Sequence, residues 1–417
     1  MVKLLVLSID AMFSSDLAQL KCRPKLAPFF QRCLTVQDMR PIYPALTYPC
    51  HASIVSGNLP SVHGVYQNLE CRPNAKYQDW KWYYSEIQCQ TLFDRFRKAG
   101  WSTSAIFWPV SANAPVDYLV PEIWSYNDDP VKIIKATSGG AVDHIIERHR
   151  DDVDFTSKFK LDRFSKDCAL DIVDEFDPDV MFLHFSLVDH TRHGYGTHHK
   201  QVQQAFDQCA VWLEEILDHI QVRTPTEELS LAVLGDHGHL NCRGNLSMNT
   251  YFVQQGWLST PIPDQLKDCE VYCHAAGVSA QIYVNNKALC PDMEAAFHHL
   301  QDEGWLFSWY NKQQAAEQGL TGPFDYVLEG GEGYFFINAV NPSFFTPVTA
   351  KDGGPWIGKH GHLPTRGEKP PFLLSCPGMQ SRQLHDHSIL DIAPTLCAQF
   401  QLEQDGMQGE NLLEVQA

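Results

Sequence analysis

The sequence predicts a three-layer α/β/α fold on a mostly parallel central sheet, a single domain spanning residues 1–417 with a small subdomain inserted at about 270–345. Three observations predict it. Lys3–Ile9, Val180–Val188 and the start of Val233-Leu234-Gly235-Asp236-His237-Gly238-His239 are apolar runs that stop at Asp10, Asp189 and Asp236. Their near-continuous hydrophobicity, rather than strict alternation, is what strands buried on both faces of a parallel sheet need. Helical periodicity lies between them, at Lys158–Phe176 and at Gln201–Ile220, where Val202, Phe206, Cys209, Leu213, Ile216 and Leu217 share one side. Strand, helix, strand at this spacing is the pattern of a right-handed βαβ crossover.

Taken in order, Ser14–Arg32 carries leucines and phenylalanines at mixed spacing and predicts a short helix. Pro44–Gly57 reads as a turn into a helix, with Pro49 suited to the first turn and Gly57 to the C-terminal end. The stretch from Pro60 to Asn68 is turn-rich, and its His63 reads as structural. A helix around Thr91–Ala99 and a buried strand at Ser104–Pro109 follow, then a mixed polar region from Asp117 to Asp154 in which no element is predicted. Asp177-Pro178-Asp179 ends the Lys158–Phe176 helix. The inserted subdomain rests on a strand at Val278–Val284, a helix at Met293–Glu303 and the glycine-rich Glu329–Gly333 before Tyr334–Ile337. A last apolar strand is expected at Pro371–Leu374.

Composition narrows the function. With 44% hydrophobic and 20% charged residues the chain is globular, which excludes disordered, collagen-like and coiled-coil classes. A net charge of −18 argues against a nucleic-acid polymer as partner, since binding one needs a basic track, but leaves small phosphates open. The thirteen cysteines are scattered and form no C-x-x-C pair, so they read as reduced thiols. The apolar start is short and lacks a cleavage site, and no run approaches the length of a membrane span. A cytoplasmic location without membrane association is the expectation.

Ligands of an open parallel sheet bind beyond the carboxyl ends of its strands, so the three runs would deliver Asp10, Asp189 and Asp236 to one crevice. Like charges at close range raise each other's pKa, and a divalent cation is the usual remedy where histidines also gather. The candidates are Asp10, Thr47, Asp189, His193, Asp236, His237 and His360. A mixture of imidazole and carboxylate without thiolate points to zinc. Taken locally, Thr47 reads as an ordinary N-cap, although a helix N-terminus also favours a phosphate or an alkoxide.

Five ordered elements then resemble the alkaline phosphatase superfamily, and within it the nucleotide pyrophosphatase/phosphodiesterase branch. They are the early strand with Asp10; Thr47-Tyr48-Pro49-Cys50-His51; Asp189-x-x-x-His193-Gly194; Gly235-Asp236-His237-Gly238; and Lys359-His360-Gly361. The resemblance implies an alkaline phosphatase-like fold and two divalent metal ions. One would be held by Asp189, His193 and His360, the other by Asp10, Asp236 and His237. Thr47 would face both as nucleophile, and Asn68 would help to bind a phosphate oxygen. The last element departs from the branch, continuing as His362-Leu363-Pro364-Thr365-Arg366, which leaves the choice between His360 and His362 open. Thr47 lacks the x-Pro-x-Arg context of sulfatases, and phosphoglycerate mutases of the superfamily use serine.

The implied activity is hydrolysis of phosphodiester or pyrophosphate bonds in a small, nucleotide-like phosphate ester through a phospho-threonine. A phosphomonoesterase, a phosphonate hydrolase and a non-catalytic metal- or nucleotide-binding protein are the alternatives. Diesters are expected over monoesters, because no arginine lies in the Thr47 element and Arg192 and Lys359 merely adjoin ligands. Phe13, Tyr66, Trp108 and Tyr195, next to the motifs, are the aromatic residues expected to bind a flat substrate group.

Overall fold

The computed structural model describes residues 1–125 and 128–415. Its centre is a mixed, eight-stranded sheet in the order Arg382–Leu384, Cys33–Val36, Phe372–Ser375, Ser230–Leu234, Leu4–Ile9, Val180–Phe185, Thr103–Ile106, Tyr118–Val120. Only Phe372–Ser375 runs against both of its neighbours; the other pairings in this sheet are parallel. Every residue of Leu4–Ile9, Val180–Phe185 and Ser230–Leu234 is buried, so both faces of the sheet are covered, as the unalternating apolar runs require. The helix Lys158–Phe176 packs on Val180–Phe185 and on the helix Lys200–Gln221.

Leu4–Ile9 lies between Val180–Phe185 and Ser230–Leu234, so the three strands that end near acids are neighbours. Two expectations need correction. The second strand stops at Phe185, and Asp189 stands in the first turn of a helix, Leu187–Tyr195. The physical reason is the Asp162 carboxylate, which accepts the backbone N–H of Ser186 (3.0 Å) and of Leu187 (2.8 Å) and so caps the new helix from a neighbouring one. The polar region from Asp117 to Asp154 also holds regular structure, a strand Tyr118–Val120 and helices Pro130–Thr137 and Asp143–Arg148. These are too short for a periodic pattern to emerge from the sequence.

A second, antiparallel sheet of four strands, in the order Leu306–Asn311, Tyr326–Gly330, Ser279–Val284, Val271–Ala276, has its own core with Tyr272, Ile282, Phe297 and Leu328. The helix Cys290–Asp302 packs against it. Two short ladders connect this part to the site. Gly244–Leu246 pairs with Tyr334–Phe336 and Phe345–Pro347, and Leu240–Cys242 pairs with Ile357–Lys359. Among the described residues no cysteine is in a disulfide and no helix is long and apolar enough to cross a membrane.

Candidate active site

Thr47 is the first residue of the helix Thr47–Ser56, and Leu46, with extended backbone, is the N-cap. The hydroxyl therefore does not serve as the helix cap. It lies 3.1 Å from Nε2 of His237. Asn68 takes the capping task instead, its Oδ1 accepting the Tyr48 N–H at 2.9 Å.

Two groups of ligand atoms converge here. Asp10, Asp236 and His237 form one, and Asp189, His193, His239 and His360 the other, with the atoms of each group within 4.8 Å of one another. His237 Nε2 is 3.4 Å from Asp10 Oδ1 and 3.3 Å from Asp236 Oδ2. Both carboxylate oxygens are buried without a hydrogen-bond partner. His193, one turn after Asp189, places Nε2 3.4 Å from its Oδ2. His360 Nε2 is 3.8 Å from Asp189 Oδ1. His362 turns elsewhere, with Nδ1 2.9 Å from the Leu363 carbonyl.

Tautomers decide whether these groups fit a cation. His193 Nδ1–H donates to the Gly358 carbonyl (2.8 Å) and His237 Nδ1–H to its neighbour's carbonyl at Gly238 (3.3 Å). In neutral imidazoles this leaves a lone pair on each Nε2. Those lone pairs face carboxylate oxygens at 3.3–3.4 Å. Such an array repels itself unless a positive charge stands within it, so the residues present fit divalent metal ions.

The electrostatics agree. Burial, then the charges of Asp236 and Asp189, push the Asp10 carboxyl well above its ordinary range. Burial also raises Asp236 to about 6 and lowers His237 to about 4. Asp189 goes the other way: burial alone would raise it, but His193, followed by His239 and His360, holds it well below the usual carboxylate range. Two further histidines back the acids. His51 donates Nδ1–H to the Thr47 carbonyl (2.8 Å), accepts from Ser8 Oγ (2.8 Å) and stands 3.5 Å from Asp236 Oδ2. His184 Nε2 is 3.5 Å from Asp10 Oδ2.

A cleft of about 700 Å³ opens over these groups, lined by Asp10, Thr47, Asn68, Asp189, His193 and His360 on one side. Tyr48, Trp80, Trp124, Phe155, Glu122 and Lys158 line the rest. Burial pushes the Glu122 carboxyl up to about 7, and Lys158 Nζ stands 5.4 Å above the Trp124 ring.

The aromatic residues expected from the sequence are not among those lining the cleft. Phe13 is fully buried under the Arg192 guanidinium, 3.4 Å from its ring centre. Trp108 is core, edge-on to His51 and Phe182. Tyr66 packs on Phe324, and Tyr195 stacks on His199. Arg192 points away from the cleft, held by Asp16 Oδ2 at 2.6 Å and the Ala11 carbonyl at 3.1 Å. Of the rings that do line it, Tyr48 adjoins Thr47, whereas Trp80, Trp124 and Phe155 come from segments without periodic signal.

His51, His184 and His239 stand inside motifs yet were not among the sequence candidates. For His239 a signal existed. In extended backbone, residues i and i+2 point the same way, so His237-Gly238-His239 delivers two rings to one side.

Comparison with known proteins follows the same lines. The profile of the family described as type I phosphodiesterase / nucleotide pyrophosphatase matches residues 4–337. Human ectonucleotide pyrophosphatase/phosphodiesterase family member 1 is 22% identical over 233 residues, covering 53% of this chain and 22% of that protein. An uncharacterized pyrophosphatase/phosphodiesterase of Schizosaccharomyces pombe is 22% identical over 234 residues, 56% of this chain and 44% of that one. The rat family member 7 is 22% identical over 244 residues, 57% and 49%. The chain thus spans less than half the length of these curated relatives. Among solved structures, an inactive variant of murine ectonucleotide pyrophosphatase/phosphodiesterase 5 in complex with AMP matches with a TM-score of 0.67 at 15% identity, covering 98% of both chains. Its human counterpart gives 0.67 at 14% identity, covering 98% of this chain and 97% of that one. At such identities the likeness establishes the mixed α/β fold with its large, mostly parallel sheet.

Proposed function

The chain belongs to the type I phosphodiesterase / nucleotide pyrophosphatase family, and from that premise we propose that it is a two-metal hydrolase of phosphodiester or pyrophosphate bonds in nucleotide-like substrates. One observation carries the reading. The Thr47 hydroxyl stands at a helix N-terminus, 3.1 Å from the His237 nitrogen that faces Asp10 and Asp236, and Thr47 shares a cleft with Asp189, His193 and His360.

Asp10, Asp236 and His237 would hold one ion, and Asp189, His193 and His360 the other, with zinc the ion that this mixture of donors suits. Bound there, the pair supplies Lewis acidity, lowering the pKa of a nearby hydroxyl and stabilising the attacking and leaving oxygens of an in-line displacement. Thr47 Oγ attacks phosphorus after losing its proton, and the bond to the leaving alcohol or phosphate breaks on the opposite side. The Thr47 N–H at the start of the Thr47–Ser56 helix and the Asn68 side-chain N–H, whose amide oxygen is held by the Tyr48 N–H, orient the non-bridging oxygens. Water then displaces Thr47 from the phospho-threonine, so that two inversions give net retention.

Trp80, Trp124 and Phe155 offer rings to a base or another flat group on the substrate. AMP bound to the murine neighbour supports a nucleotide-like substrate here. The test is turnover of the purified, zinc-loaded protein on nucleotides, diesters, monoesters and phosphonates. Hydrolysis of diesters or pyrophosphates is expected. Two bound metals with no hydrolysis of any activated phosphate ester would replace this reading with that of a metal- or nucleotide-binding protein.

A further inference from the structure

We infer that His239 is a positioning residue that holds Asp189 in place for its cation, donating Nε2–H to Asp189 Oδ1 so that Oδ2 is left as the oxygen offered to the metal. The inference rests on the metal reading above and adds a residue to which that reading assigns no role.

Distance separates a hydrogen-bond donor from a fourth ligand. Two donors on one tetrahedral zinc ion, each about 2.0–2.1 Å out, lie roughly 3.3 Å apart. His193 Nε2 and Asp189 Oδ2, the oxygen offered to the metal, meet that spacing at 3.4 Å. His239 Nε2 is only 2.7 Å from Oδ1, the length of a charge-assisted hydrogen bond. Although His239 is close enough to be grouped with the other three, the shorter contact assigns it the supporting part.

The protonation pattern follows from its surroundings. His239 Nδ1 is buried and has no partner. An orphaned acceptor is better tolerated than an orphaned N–H, so the proton belongs on Nε2, where Asp189 accepts it. The fold builds this arrangement deliberately. Lys359 pairs with Leu240 in the two-stranded ladder, which sets His239 opposite His360 at its end. Gly358 makes room, since a Cβ there would come within 2.6 Å of His239 Nδ1, while its carbonyl fixes His193. One glycine thereby lets two imidazoles address the same carboxylate.

A hydrogen bond to a ligating carboxylate typically changes metal affinity by about 10–100-fold. The experiment loads the full chain with Co2+ or Zn2+ and measures stoichiometry and affinity by chelator competition, with the Co2+ absorption spectrum as a report on coordination. His239→Ala is expected to weaken one of the two ions within that range, leaving stoichiometry at saturation and the spectrum unchanged. His239→Gln, which keeps an N–H donor, is expected to recover most of the affinity and guards against a folding defect in the alanine variant. A shifted spectrum with one ion lost in both variants would make His239 a ligand and overturn the inference. Unchanged affinity in both would overturn it too. Failure of the unaltered protein to bind any divalent ion would instead remove the metal reading on which it stands.

Discussion

Thr47 Oγ1 and His237 Nε2 lie 3.1 Å apart although 190 residues separate them in the chain. The contact joins a helix N-terminus to the loop after the Ser230–Leu234 strand, and His237 brings Asp10 and Asp236 with it. Thr47→Ala should therefore leave the unfolding temperature close to that of the unaltered protein and lower kcat on an activated diester by on the order of a thousandfold or more. Thr47→Ser should keep part of the activity. Steady-state kinetics on both variants decide it, and comparable turnover by Thr47→Ala would mean that water attacks phosphorus directly.

Asp236 makes the link between metal and stability measurable. Burial lifts its carboxyl from an ordinary 3.8 to about 6 in the folded chain. The sign is that of an acid more easily protonated when folded: the contribution of this carboxyl to stability is greatest below 3.8 and declines as pH rises to 6, by on the order of 2–3 kcal/mol. In chelated protein at pH 8, Asp236→Asn should accordingly raise the unfolding temperature, because its amide oxygen can still accept the Ala11 N–H that Asp236 Oδ1 now accepts at 3.0 Å. With saturating zinc the order should reverse, since ligand binding to the native state adds about 2.7 kcal/mol at a hundredfold excess over Kd. Thermal unfolding in chelator and in zinc tests this, and a variant less stable under both conditions would contradict it.

Histidines away from the metal groups set the acid limit. Burial lowers His63 to about 3 and His274 to about 4, against 6.5 in an exposed ring. His63 is held neutral by Ser53 Oγ at 3.0 Å and the Val65 N–H at 3.1 Å, while both ring nitrogens of His274 are buried without partners. Between these values and 6.5 the unfolded chain binds the extra protons. The contribution of these two rings is thus complete above 6.5 and falls as pH drops, by about 1.4 kcal/mol per pH unit for each ring. Urea unfolding in chelator at several pH values should show this slope, shallower by about one proton in His63→Gln. An identical slope in that variant would place the acid sensitivity elsewhere.

The sheet and the acids were legible because buried parallel strands write continuous apolar runs and the chemistry stands at their ends. What stayed illegible is of two kinds. Asp189 belongs to a helix whose start is set by Asp162, 24 residues upstream of Ser186, and no local pattern carries such a cap. The cleft walls are likewise tertiary: Trp80, Trp124 and Phe155 come from segments without periodicity, while Phe13 and Trp108, beside the motifs, were drawn into the core. Adjacency in sequence found Asp10, Asp236 and His237 because the strand ends that precede them are fixed by the sheet. It did not locate the aromatic wall of the cleft, which loops assemble.

The last prediction concerns that wall. A monoester carries one more negative charge than a diester, and a site built for it needs a further cation close to the reacting phosphate. Arg192 is committed to Asp16 and the Ala11 carbonyl, and Lys359 stands 4.9 Å from the Phe335 ring. Lys158 does line the cleft, with its Nζ held 5.4 Å above the Trp124 ring. Diesters should therefore be preferred, with kcat/KM for bis-p-nitrophenyl phosphate above that for p-nitrophenyl phosphate under the same zinc concentration. Trp124→Ala should raise KM for an aromatic diester with a smaller effect on kcat, because its ring contributes binding away from the reacting atoms. A monoester preferred by more than about tenfold, roughly 1.4 kcal/mol of transition-state binding, would overturn the diester assignment while leaving Thr47 and both ligand groups in place.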